Sequence, residues 1–246
     1  MKQFKFLAAL PLLVVMFFIS CNNGADEKKT ESTTTGDTTA TATKPAETPA
    51  PIKPWNSMVI IHKVANYAKW LPAYESHDSA RMANGLHNYV LARGLDKDSN
   101  TVMVALKMDD VSKAKAMAGS ADLKAKMKAG GVIGMPTIYY EENVVTDTPS
   151  LGANTVRVMV THKVKDWDAW KKEFDSHKQT RIDNGIIDRI VGHDVDDSHL
   201  VRIVFAITDM AKAKAFMASK ELKDKMAAAG VEGPPTFFYY TIAKKY

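Results

Sequence analysis

The chain is written twice. His62-Lys63-Val64, Trp70, Ser76-His77, Arg81 and Asn84-Gly85 recur 100 positions later as His162-Lys163-Val164, Trp170, Ser176-His177, Arg181 and Asn184-Gly185. That is nine identities in the 29 positions from Met58 to Leu86. From Asp110 to Tyr140 the offset is 99, with 17 identities in 31 positions, so one residue was lost or gained in the turn between. A period near 100 is too long for a solenoid unit and is the size of a small domain. The folded part is therefore two copies of one unit.

Each copy reads strand, helix, strand, strand, helix, strand. The first strand is Met58 to Val64, or Val156 to Val164. Asn66 or Asp166 is placed to cap the next helix by accepting from its free amides, and Asn84-Gly85 or Asn184-Gly185 ends it. A hairpin follows, Leu86 to Arg93 with Asn100 to Met108, and Ile186 to His193 with Leu200 to Thr208. The second helix starts at Asp110 or Asp209 and is interrupted at Ser120 or Ser219, a fresh capping residue before Leu123/Met127 or Leu222/Met226. The last strand follows a proline and covers Thr137 to Glu141, or Thr236 to Ile242. This predicts an α+β unit of βαββαβ order, a four-stranded antiparallel sheet with helices on one face, in the ferredoxin-like arrangement.

Such a sheet leaves its other face bare. In the third strand Val102, Val104, Leu106 and Met108, with their counterparts Val201, Ile203, Phe205 and Ile207, share the parity that takes the helices. The opposite parity holds Met103, Ala105 and Lys107, or Arg202, Val204 and Ala206, and in the first strand Val59, Ile61 and Lys63, or Arg157, Met159 and Thr161. That face is too apolar to leave in water without association. Two fused copies can close these faces on each other, which predicts an intramolecular barrel. The expected divisions are 57–142 for the first repeat, 143–154 for a connector and 155–246 for the second repeat.

His162-Lys163-Val164, Asp166, Trp170, Phe174, His177, Arg181 and Gly185, followed by Ser219, Leu222, Met226, Gly230-Val231 and Pro235, resemble the small antibiotic biosynthesis monooxygenase-like proteins. The wider group is the dimeric α/β-barrel superfamily, and the match covers both repeats. The resemblance implies the paired-sheet barrel. It also implies a range of activities: cofactor-free oxygenases, haem-degrading enzymes, haem peroxidases and isomerases. No cofactor is predicted, and haem stays open on the strength of the resemblance alone.

Candidate site residues fall in two groups. Tyr67, Trp70, Tyr74, His77 and Arg81 lie within one arc of about 80° on a helix, as do Trp167, Trp170, Phe174, His177 and Arg181. A catalytic role for His77, Arg81, His177 and Arg181 is weighed against a core stripe ending in cations favourable to the helix dipole, and the core stripe is preferred. His62 and His162 have helix-facing parity and are expected to be structural. No paired-His or Cys–His spacing suggests a metal. The second group is on the bare face, where the copies differ: Arg157, Arg189, Arg202 and His193 from the second, His87, Tyr89, Lys63 and Lys107 from the first. Arg157, Arg189, Arg202, His87 and Tyr89 are the expected ligand-binding set, because convergent guanidiniums suit a carboxylate or another planar anion. The sequence carries no phosphate loop, nucleophile elbow or paired catalytic carboxylates. Three functions are therefore carried forward: a binding module for a small anionic or aromatic ligand, an enzyme of the resembled kind, and a purely structural interaction domain.

The amino-terminal segment is an address. Lys2 and Lys5 precede an apolar run from Phe6 to Ile19, short for a membrane span and suited to a signal-peptide core. Phe18-Ile19-Ser20-Cys21 resembles the bacterial lipoprotein signal, in which the cysteine, here Cys21 and the only one in the chain, carries the lipid. Residues 1–21 are read as that signal. Asn22 in the following position favours the outer membrane by the common sorting rule, so the expected location is the bacterial envelope with lipid as the membrane partner. Residues 22–56 are read as a tether, since its first 33 residues hold nine Thr, four Pro and a single large aliphatic, Ile52. As a coil it spans about 30 Å. Without residues 1–21 the formal charge falls from +5 to +3, and the lysines sit between the apolar positions of helices. They predict a solvated face rather than a nucleic-acid stripe.

Overall fold

The structure, a computed structural model, describes residues 53–146, 151–152 and 154–246. The signal, Cys21 and nearly all of the tether lie outside the described residues. The first repeat folds as β1 (Trp55–Val64), α1 (Tyr67–Glu75), α2 (Asp78–Ala83), β2 (Leu86–Gly94), β3 (Thr101–Met108), α3 (Val111–Gly119), α4 (Ala121–Ala129) and β4 (Val132–Thr146). The second gives β5 (Val156–Val164), α5 (Trp167–Ser176), α6 (Lys178–Asp183), β6 (Ile186–Asp194), β7 (Leu200–Ile207), α7 (Met210–Ala218), α8 (Lys220–Ala228) and β8 (Val231–Lys245). Among the described residues no helix is long and apolar enough to cross a membrane.

The expected caps close the helices. Asn66 and Asp166 accept from Lys69 N at 3.0 Å and Ala169 N at 2.8 Å, and Ser120 and Ser219 accept at 3.1 Å from Leu123 N and Leu222 N. The helix expected to run unbroken to Asn84 or Asn184 is instead two helices, interrupted at His77 and His177. Ser76 Oγ donates to Ala73 O and Ser176 Oγ to Glu173 O, so a side chain competes with the backbone ladder there. At the break the Tyr74 and Phe174 carbonyls accept from His77 N and His177 N at 3.2 Å, and Arg81 and Arg181 add a second donor to each at 2.8 and 2.7 Å.

Each sheet has the expected order, β4-β1-β3-β2 and β8-β5-β7-β6, and the two join edge to edge into a closed eight-stranded barrel. The seams are β2 with β8, where Gly94 pairs with Tyr240, and β4 with β6, where Glu141 pairs with Asp194. These two pairings are twins of each other, the signature of an internal two-fold. The last strands are longer than expected because they run across the seams, so β4 reaches Thr146 inside the segment read as connector. Closure removes the four sheet edges that would otherwise invite association.

Packing forms three layers. Outside the barrel each repeat has its own helix-covered core, Met58, Val104, Leu106 and Trp70 in one, Val158, Ile203, Phe205 and Trp170 in the other. Inside the barrel a third cluster mixes the copies: Val59, Ala92, Met103, Ala105, Met159 and Tyr240. The bare faces are paired within the one chain.

Candidate functional site

The barrel interior is not filled. It encloses a cavity of about 390 Å³ to which all eight strands contribute. Arg157, Arg189, Arg202 and Tyr89 line it, together with Trp55, Ser57, Glu141 and Tyr240. Four of the five residues expected to bind a ligand are thus brought together.

Two bulges set this arrangement. Tyr89 and Arg189 are the unpaired extra residues between Asn88 and Val90 and between Asp188 and Ile190, and each turns inward beside its neighbour. The same bulge reverses parity further along β6, so His193, expected on the inner face, lies outside with its ring 4.6 Å from that of Trp167. His87 precedes the bulge, opposite Lys107 near the start of β2, and its Nε2 lies 2.7 Å from Asp109 Oδ2; it does not line the cavity. Lys107 reaches over the rings of Trp55 and Tyr89 at 5.6 and 5.2 Å.

The interior arginines are held from outside their cationic faces. Arg157 Nη1 donates to Thr155 O at 2.8 Å, while its buried Nη2 has no hydrogen-bond partner among the described residues. Burial lowers the Arg157 pKa from its ordinary value, opposed by Tyr240 and deepened by the Arg189 charge; the guanidinium keeps its proton all the same. Arg202 lies over the Tyr139 ring at 4.0 Å, with Asp194 Oδ2 at 3.4 Å from Nη1 and Glu141 Oε1 at 3.6 Å from Nε. Glu141 is pushed up to about 7 by burial, a push that Arg202 and a Ser57 hydrogen bond oppose and the Asp194 charge reinforces. Asn143 steadies this corner by donating to Ser57 Oγ at 2.9 Å. Burial also raises the Tyr240 hydroxyl, which therefore stays protonated.

Glu141 and Tyr240, central to the wall, were missed by reading the sequence. They are twins, each the tenth residue of a fifteen-residue last strand, and alternation along β4 and β8 places both inward.

The remaining candidates stand on the other side of the sheet. Each repeat has a cleft between helices and strands, about 70 Å³ in the first and about 140 Å³ in the second. His62, His77 and Arg81 line one, His162, His177 and Arg181 the other. The arginines are committed to structure: Arg181 binds both oxygens of Asp188 at 2.7 and 2.6 Å and lies 3.6 Å from the Phe174 ring centre. Arg81 binds Asp78 at 3.2 Å and lies over Tyr74. His177 Nδ1 is 2.7 Å from Glu173 O. His62 and His162 stand steeply inclined to the rings of Trp70 and Trp170, at 58° and 65°, and burial lowers both imidazoles to about 4. Neither ring nitrogen of either has a hydrogen-bond partner among the described residues.

The clefts are below the roughly 300–1,000 Å³ of ordinary small-molecule sites, and the interior cavity is lined by tyrosine and methionine but by no histidine. Among the described residues no group of three or more His, Cys, Asp or Glu is placed to hold a metal ion.

No protein-family model matches the sequence, and no curated protein matches it. Solved structures are similar to it. An anthrone oxidase-like protein superposes with a TM-score of 0.54 at 12% identity, over 78% of this chain and 92% of its own. A candidate monooxygenase of Fusobacterium nucleatum gives 0.50 at 15% identity, over 78% of this chain and 93% of that one. A candidate monooxygenase of Lactobacillus acidophilus gives 0.50 at 11%, over 78% and 94%. At such identities the likeness is one of fold alone, and that fold, with both halves carried by a single chain, is the dimeric α/β barrel.

Proposed function

We propose that this chain is an envelope-anchored binding protein whose barrel interior holds a small planar aromatic anion. The observation that supports it is a cavity of about 390 Å³ walled by Arg157, Arg189 and Arg202, with the buried Nη2 of Arg157 left unpartnered in that wall. A buried cationic donor left unpaired costs free energy that an incoming carboxylate returns. Tyr89, Tyr240 and Trp55 give the same wall aromatic faces for a ring, and Met103 and Met159 give it adaptable apolar ones. The cavity volume suits one or two fused rings. An open interior with charged walls also speaks against a purely structural domain, which would be stabilised by filling the space.

The test is calorimetry of the mature chain with 1-naphthoate and with its neutral analogue 1-naphthalenemethanol. The carboxylate is expected to bind and the alcohol to bind at least tenfold more weakly. Replacing Arg157 or Arg202 by Met should weaken naphthoate by about 10- to 100-fold, the value of a charge-assisted hydrogen bond. Equal binding of acid and alcohol, or none of either, overturns the proposal. Anchoring belongs to the same proposal and rests on Cys21: an alkyne fatty acid fed to the host should label the wild type and not Cys21→Ala.

A second reading is cofactor-free oxidation in the helix–sheet clefts. The unpartnered imidazoles of His62 and His162 favour it, and the similar structures include proteins named for monooxygenase and anthrone oxidase activity. A neutral imidazole could accept a hydrogen bond from a phenolic or enolic substrate. The clefts would have to open first, and α4 and α8, which bury no residue fully, are the elements free to move. Oxygen uptake on anthrone, lost in His162→Phe, would support this reading.

A further inference from the structure

We propose that the interior takes up its anion together with one proton, which goes to Glu141 as the anion takes over Arg202. The inference rests on the anion-binding reading above and assigns a regulation to that same site. It starts from the ion pair itself. Glu141 Oε1 and Arg202 Nε face each other at 3.6 Å, too far for a hydrogen bond, and neither atom has another hydrogen-bond partner among the described residues. The pair is poised and not locked.

The surroundings make it easy to separate. Arg202, from β7, also meets Asp194 of β6, whose Oδ2 lies 3.4 Å from both terminal nitrogens. One cation therefore already serves two carboxylates. Around Glu141 stand Asp194 from β6, Arg202 from β7, the Ser57 hydroxyl from β1 and the Tyr240 phenol from β8. A ligand carboxylate on Arg202 would be a third negative charge about that cation. Arg157 and Arg189 supply the remaining positive charge of the wall.

Of the two resident carboxylates, Glu141 is the one that gives way. Its side chain is 7% exposed against 17% for Asp194, so burial weighs more heavily on its ionised form. Desolvation has already raised its pKa to about 7, so that it titrates near physiological pH. The proton comes from solvent, and no bond between heavy atoms forms or breaks. Once protonated, Glu141 changes from acceptor to donor and can offer its O–H to the incoming carboxylate. Copy one alone carries this acid; the twin position is Tyr240, which stays protonated throughout. Binding is then expected to weaken as pH rises above neutrality, when removing Arg202 from an ionised Glu141 costs a proton taken from a scarcer supply.

The experiment is calorimetry of the mature chain with 1-naphthoate in Hepes and in Tris, buffers of different ionisation enthalpy, at about pH 8 and about pH 5.5. Proton uptake should approach one per ligand at the higher pH and fall towards zero at the lower. Affinity should fall by up to about tenfold per pH unit above neutrality. Glu141→Gln should bind without that uptake and with an affinity that no longer depends on pH. An infrared difference spectrum of the wild type should gain a protonated-carboxyl band on ligand addition, a readout independent of any variant. Binding with no proton uptake and no such band, or the same uptake in Glu141→Gln, overturns the coupling while the anion-binding reading stands. No binding at either pH overturns both.

Discussion

Asp188→Asn distinguishes a structural Arg181 from a catalytic one. Arg181 and Asp188 are each 7% exposed and share two short hydrogen bonds, Nε to Oδ1 at 2.7 Å and Nη2 to Oδ2 at 2.6 Å. The third donor, Nη1, holds the Phe174 carbonyl at the helix break. The substituted amide would keep one acceptor, turn an N–H toward the guanidinium and leave a buried charge without its counter-ion. Breaking a buried pair in this way costs about 3–5 kcal/mol. With a urea slope near the upper end of the usual range, about 3 kcal/mol/M, the denaturation midpoint should fall by roughly 1–1.7 M. For a fold of this size, at about 2–4 °C per kcal/mol, the thermal midpoint should fall by about 6–20 °C.

The first repeat supplies the internal control. Its counterpart of Asp188 is Asn88, and the acid that meets Arg81 is Asp78, whose side chain is 52% exposed at 3.2 Å. Asp78→Asn should cost clearly less than Asp188→Asn, because water reaches the Asp78 side of the pair. Replacing both Arg181 and Asp188 by apolar residues of similar volume should recover most of the loss. If Asp188→Asn and Asp78→Asn cost the same small amount, Arg181 is not a strut, and the reading of the helix-side arginines fails.

The pH dependence of stability can be worked from three buried groups. His62 and His162, lowered to about 4, bind fewer protons folded than unfolded, so stability present at neutrality is lost as pH falls from about 6.5 towards 4. Glu141, raised to about 7, does the reverse: its contribution is full below about 4.5 and is lost as pH rises through 7. Going from pH 7 to 5 these sum to a loss of about 1–2 kcal/mol, and Glu141→Gln should raise it to about 4 kcal/mol, read from urea melts at both pH values. Gly192→Ala should open the β4–β6 seam, because an added Cβ would clash with the backbone oxygen of Glu142; a loss of about 1–3 kcal/mol is expected, against near neutrality for Gly119→Ala, whose Cβ meets nothing within 4 Å. Ser219→Ala should cost about 1 kcal/mol and speed hydrogen exchange at Leu222, whose N–H it caps at 3.1 Å.

Sequence spacing made the fold legible because duplication repeats every clue: two caps, two broken second helices and two inward parities point one way. It failed where pairing between copies decides the geometry. Nothing local in β4 tells the chain to continue to Thr146; the extra residues are ordered by β6, a strand of the other repeat. The bulges at Tyr89 and Arg189 are equally silent in sequence, yet they settle which of Arg189 and His193 faces inward. The break at His77 is hidden behind a continuous apolar stripe, and the donors that Arg81 and Arg181 add there come from seven residues away. Glu141 shows the same limit: its meaning comes from Arg202 and Asp194, which a linear reading sets more than fifty residues away.

The twins diverge where they face each other. On the helix side His62, Trp70 and Arg81 are matched by His162, Trp170 and Arg181. On the interior side Ser57, Tyr89 and Met103 are matched by Arg157, Arg189 and Arg202, and Glu141 by Tyr240. Packing cannot explain this, since the first copy shows that the same positions of the same fold accept small, aromatic and thioether side chains. Buried guanidiniums are, moreover, a net burden on stability when apolar groups of similar size could replace them. Giving the second copy the first copy's residues, Arg157→Ser, Arg189→Tyr and Arg202→Met, together with Glu141→Gln so that this buried carboxylate does not lose its cation, should therefore hold or raise the thermal midpoint while abolishing naphthoate binding. A fall of more than about 10 °C, or a folded variant of this kind that still binds the carboxylate, would mean that the arginines are there to hold the barrel and not its occupant.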